Sequence, residues 1–169
     1  MSFQAKENVK QLERKIDNGI TLAEQSYRFE KGILDFKEKK DHYPSIKETR
    51  GIMTDDKYKI NLPEDIEFLN YHYDENTGAF GIAVEDKQIG EVHIAYAGTN
   101  RDADGFKDVM TDIGLVTPTD SKLLNTTQNF MEKLEKENKI TPKNISLVVG
   151  HSLGGVLATL FSLQNNISI

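Results

Sequence analysis

The 169-residue chain has no cysteine, no tryptophan and only four prolines. Without cysteine there is no disulfide framework, no thiolate zinc site and no thiol nucleophile, and the sequence carries no mark of its redox compartment. No run approaches the roughly 18 apolar residues of a spanning helix, which argues against a transmembrane segment. The start, MSFQAKENVKQLERK, lacks an apolar stretch after its charges, so no secretory signal peptide is read there. That leaves a cytoplasmic protein, export by a route that uses no signal peptide, or a trimmed chain. A basic groove is missing too. Residues 1–50 carry 11 Lys/Arg against 9 Asp/Glu; subtracted from totals of 21 and 27, this leaves 10 against 18 in residues 51–169, a balance of −8. So acidic a stretch argues against nucleic acid as a partner.

What is present suffices for one domain, since 37% hydrophobic residues support a core. Val9, Leu12 and Ile16 recur at three and four, the spacing of one helix face. Asn18 and Gly19 then read as a stop, and Thr21 with Glu24 reads as a capping box opening a second helix through Leu22, Tyr27, Ile33 and Phe36. The expectation is an N-terminal helical hairpin over residues 1–40, layered on a domain over residues 41–169. Residues 40–70 are turn-rich and support no firm element. The pattern then shifts toward period two, predicting strands over 78–85 and 91–97 joined across DKQIG. Phe106, Val109, Met110 and Ile113 fit a short helix over 105–113, and Leu124, Phe130, Met131 and Leu134 fit a longer one over 121–138. The apolar run ISLVV, residues 145–149, reads as a parallel strand buried on both faces, with a helix from Leu153. The fold class is α/β, with a sheet too small for a complete fold of that kind.

The stretch NISLVVGHSLGGVLATLF places Ser152 between Gly150 and Gly154, where strand becomes helix. In G-x-S-x-G the nucleophile sits on a strained turn, and side chains at the glycine positions would collide with the strand and helix. The helix beginning under the hydroxyl aims free N–H groups at a reacting carbonyl, and the Leu153 N–H is one such donor. A phosphate-binding loop fits poorly, because no GK[ST] follows. His151, inside the elbow, is expected to project away from Ser152 and to pack or hydrogen-bond nearby.

"GHSLGG" together with "HIAYAGTNRDADGFKDVMTDIGL" resembles the class 3 lipases of the α/β-hydrolase fold, over roughly residues 78–165. The resemblance implies that Gly98 and Thr99 end the preceding strand, with Thr99 supplying the second oxyanion-hole donor. It implies a supporting acidic residue at Asp112. The segment over 101–114, with its apolar stripe, would be either a lid that opens at a lipid surface or a helix fixed on the sheet. Ala97 departs from the arginine common before the Gly-Thr pair, and Val109 stands near the usual lid tryptophan.

A serine hydroxyl needs a histidine to take its proton and a carboxylate to orient that histidine. In α/β hydrolases these follow the serine, but residues 153–169 contain neither acid nor histidine. His42, His72 and His93 have no catalytic partner that the pattern identifies, and scattered as they are with His151 they suggest no metal site. No cofactor is expected. The preferred expectation is a truncated hydrolase domain lacking its triad Asp and His, with an open sheet edge after ISLVV. Two functions follow. One is a lipase or phospholipase A1 acting on acyl lipids through Ser152. The other is a non-catalytic module that binds lipid or a partner protein through that edge or its N-terminal helices. Some bacterial toxins exported without signal peptides carry lipase domains of this kind and meet immunity or targeting partners.

Overall fold

Two loops of one design shape the sheet. In Asp74–Gly78 and Asp86–Gly90 the aspartate side chain accepts from the N–H two residues on, Asn76 at 2.8 Å and Gln88 at 3.0 Å. The glycine N–H closes each loop on the aspartate carbonyl at 2.7 and 2.8 Å. Both glycines have positive φ, 68° and 67°, where a Cβ would be strained. These turns join β1 (Ile66–Asp74), β2 (Ala79–Asp86) and β3 (Glu91–Ala97) into an antiparallel meander. The fourth strand, β4 (Ile145–Gly150), adds parallel to β3, in the order β1-β2-β3-β4. The computed structural model describes residues 1–98 and 121–168.

Alternation along the strands divides the core into two faces. Ala79, Ala83, Val92, Ile94 and Tyr96 pack with Leu123, Phe130 and Leu134 of α3 (Ser121–Asn138) and Leu157 and Phe161 of α4 (Leu153–Gln164). Phe80, Ile82, Val84, Ala95 and Ala97 face the other way, against Leu22, Phe29 and Ile33 of α1 (Phe3–Lys40) and Ile52 of α2 (Ile46–Met53). The protein is a mixed α/β sheet with helices on both faces. No helix among the described residues is long and apolar enough to cross a membrane.

The N-terminal hairpin expected over residues 1–40 is instead one continuous helix, α1. Asn18 and Gly19 do not stop it, because tertiary contacts hold both inside the helix. Gly19 faces β4 so closely that a Cβ there would stand 3.1 Å from Val149 Cγ1. Asn18 is buried and donates to Asp86 Oδ2 at 3.4 Å. Next to it Arg14 grips the same carboxylate through Nε at 3.0 Å and a terminal nitrogen at 2.7 Å. Burial pushes the Asp86 carboxyl up, but the Arg14 hydrogen bonds and charge outweigh it and hold it below the usual range. The helix ends at Asp41, in the left-handed region at φ 60°. Two elements in the turn-rich stretch were not expected. They are β1 and the short α2, whose N-terminus is a full capping box between Ser45 and Glu48.

On the core side of α1, Glu30 is 4% exposed, and burial pushes its carboxyl up to about 7. An unfolded glutamate titrates near 4.3, so the folded state binds this proton more tightly. Its stabilising contribution is full below about pH 4 and is lost as pH rises through about 7. Glu30→Gln is expected to stabilise the protein by about 3 kcal/mol at pH 8 and by little at pH 4.5. Urea unfolding at the two pH values checks this.

Candidate active site

At the end of β4 the chain leaves Gly150, turns through His151 and Ser152, and enters α4 at Leu153. Ser152 adopts φ 58° and ψ −124°, a conformation that costs a non-glycine residue about 1–3 kcal/mol. Its place is the N-cap of α4. A serine there normally turns its hydroxyl onto the N–H of the second or third helical residue. Ser152 makes no such bond. The N–H groups of Gly154 and Gly155 are taken instead by the carbonyls of His151 and Ser152, at 3.0 and 2.9 Å. The hydroxyl-bearing residue is thus left exposed above the start of a helix. Leu153, first in that helix, anchors its side chain in the core at 3% exposure, and its N–H has no intrahelical acceptor.

The surrounding glycines are there because no Cβ fits. At Gly150 it would overlap the carbonyl of Gly154, and at Gly154 the carbonyl oxygen of Tyr96. The end of β4, the end of β3 and the first turn of α4 therefore cross at backbone contact. Gly98, just past β3, belongs to the same crossing: a Cβ there would collide with the Tyr27 hydroxyl and the His151 carbonyl, and would stand 3.4 Å from Ser152 Cβ. Of the residues singled out in the sequence, Gly98, Gly150, His151, Ser152, Leu153 and Gly154 are thus brought together. Thr99, Asp112 and the segment 101–114 lie outside the described residues.

Tyr27 of α1 was missed as a site residue. Its hydroxyl stands 3.4 Å from His151 Nδ1, a contact across 124 positions that no local sequence signal announces. The imidazole of His151 thus meets α1. Two of the other histidines have partners elsewhere. His42 Nδ1 lies 3.0 Å from the Tyr43 carbonyl, and His72 stacks on Phe130 at 5.6 Å. His93 is fully buried in β3 with neither ring nitrogen hydrogen-bonded, and burial lowers its pKa. Among the described residues no three metal-ligating side chains gather. No protein-family model matches the chain, and no curated protein matches it.

If the elbow stores strain at Ser152, Ser152→Gly should raise the unfolding free energy by about 1 kcal/mol, whereas Ser152→Ala should leave it nearly unchanged. Gly154→Ala should lower it by about 3 kcal/mol, because backbone at the β3 end must shift. Denaturant unfolding of the three variants gives the comparison.

Proposed function

We propose that this chain carries the nucleophile and oxyanion-binding part of a carboxylic-ester hydrolase acting on acyl lipids, of the class 3 lipase kind. One observation carries the reading: Ser152 is held at φ 58° at a strand-to-helix turn, exposed and not spent on capping. A serine that only capped a helix would have no use for that strain.

In this reading the Ser152 hydroxyl oxygen attacks the ester carbonyl carbon. The carbonyl electrons move onto oxygen, and the Leu153 N–H donates to that developing oxyanion. By the resemblance, Thr99 N–H is the second donor. Collapse of the tetrahedral species expels the alcohol and leaves an acyl-serine, which water then hydrolyses. Each oxyanion donor typically contributes about 3 kcal/mol to lowering the barrier. The serine proton needs an acceptor, and residues 153–169 hold neither acid nor histidine. Among the histidines present, His151 turns to Tyr27 and His93 is sealed in the sheet. The reading therefore requires a base that the described residues do not place at Ser152. A second reading, a non-catalytic module that binds a partner protein, is favoured by the exposed apolar stripe of α1, where Leu12, Ile16 and Ile20 are more than half exposed.

In the natively expressed protein, hydrolysis of short- and medium-chain esters is expected, and Ser152→Ala should lower kcat by on the order of 10⁶-fold. Steady-state assays of the two proteins decide it. Activity kept by Ser152→Ala would remove the ester-hydrolase reading, and an inert native protein would favour the binding module.

A further inference from the structure

Side chains alternate along β3, so His93 lies on the same face as Ala95 and Ala97, the face that α1 covers. It is 0% exposed, and neither ring nitrogen has a hydrogen-bond partner among the described residues. The charges around it are matched among themselves. Arg14 and Lys15 approach from α1, Asp86 from β2 and Glu91 from β3, while β4 brings only uncharged residues such as Leu147. Arg14 pairs with Asp86 at 2.7 Å and Lys15 with Glu91 at 2.9 Å. Four donors fill the Asp86 carboxylate: Arg14 Nε, an Arg14 terminal nitrogen, the Asn18 amide and the Gln88 N–H. A carboxylate offers about four lone-pair sites, so none is left for an imidazolium. A proton on His93 would therefore be an unmatched charge sealed in the sheet without an acceptor, the costliest kind of buried group.

The element above His93 is weakly held at one end. No residue of α1 before Asn18 is buried, and the ties of residues 3–17 to the sheet, among the described residues, are the ion pairs of Arg14 and Lys15. Beyond Gly19 the helix is fixed by Leu22, Phe29 and Ile33 in the core. Asn18 and Gly19, between the two halves, are both poor helix formers. We propose that His93 is an acid trigger for α1: a proton on its ring lifts residues 3–17 off the sheet, with the break at Asn18 and Gly19, so that water solvates the imidazolium.

The direction follows from the two states. Burial lowers the pKa of His93 in the docked state, whereas a solvated ring takes its proton at about 6.5. Docking is therefore complete above about pH 6.5 and is lost as pH falls, the lifted-to-docked ratio rising by up to about tenfold per pH unit. Burial raises the Asp86 and Glu91 carboxyls, but their hydrogen bonds and paired cations outweigh it and hold both below the usual range. These two groups add to the loss only below about pH 4.5. Glu30 belongs to the half of α1 that stays in place and does not enter the balance.

The chain has no cysteine, so Lys10→Cys and Lys87→Cys place two nitroxide labels uniquely, one on the lifting half and one at the β2–β3 turn, both at exposed side chains. Double electron–electron resonance reads the distance between them. One docked distance is expected at about pH 7.5, and a longer one should gain population toward about pH 5, by up to about tenfold per pH unit, with circular dichroism preserved. In His93→Phe, which keeps a ring but cannot take a proton, the docked distance should persist throughout. The ring signals of His93 in the unsubstituted chain, followed by NMR, give a check that needs no substitution at the trigger: they should titrate together with the distance change. An unchanged distance down to about pH 5 overturns the proposal, and so does the same response in His93→Phe. A His93 ring that titrates while the labels stay at the docked distance overturns it too. Loss of the sheet signal along with the distance change would make the event global unfolding and equally contradict a local trigger.

Discussion

Everything at the candidate site depends on three backbones crossing where no Cβ fits. Gly150, Gly154 and Gly98 sit at that crossing, and a Cβ at each would collide with backbone, at Gly98 with the Tyr27 hydroxyl as well. Because the end of β4 approaches α4 so closely, the single residue that must carry the chain round the corner, Ser152, is driven to positive φ. Strain and exposure at Ser152 therefore have one cause, the close packing beneath it. The same packing sets the start of α4, with the Leu153 N–H that has no intrahelical acceptor, beside the serine.

The long helix α1 takes part in this arrangement and does more than cover the sheet. Leu22, Phe29 and Ile33 fix its second half on the core, while Arg14 and Asn18 tie its first half to Asp86 at the far end of β2. Between these anchors Gly19 lets the helix lie on β4, and Tyr27 reaches His151 and Gly98. One element thus spans from the β2–β3 turn to the elbow. Its outward stripe, Val9, Leu12, Ile16 and Ile20, stays uncovered among the described residues and overhangs the free edge of β4.

Much of this was legible in the sequence, and the failures have physical reasons. The period of apolar residues placed α3 and β3, and the continuous run ISLVV placed β4. The burial expected on both faces of β4 was not met, since beyond Ile145 the strand is only partly buried and forms an edge among the described residues. The elbow was legible because its steric demands fall on five consecutive positions, 150–154. The break expected at Asn18 and Gly19 failed because its local cost is offset by contacts with Val149 and Asp86, far away in sequence. Strand β1 escaped notice because a bulge between Phe68 and Asn70 interrupts its alternation. The helix α2 did carry a local sign, Ser45 with Glu48, that deserved more weight than the surrounding turn residues. Tyr27 could be placed at the site only by the fold.

Under the proposed function, the elbow geometry holds Ser152 ready for acylation once a base is supplied. Adding free imidazole as that base and treating the chain with a fluorophosphonate, then locating the adduct by mass spectrometry, tests it directly. Preferential modification of Ser152, increasing with imidazole, is the expected result. Modification spread evenly over exposed serines, or none at Ser152 at any imidazole concentration, would contradict it.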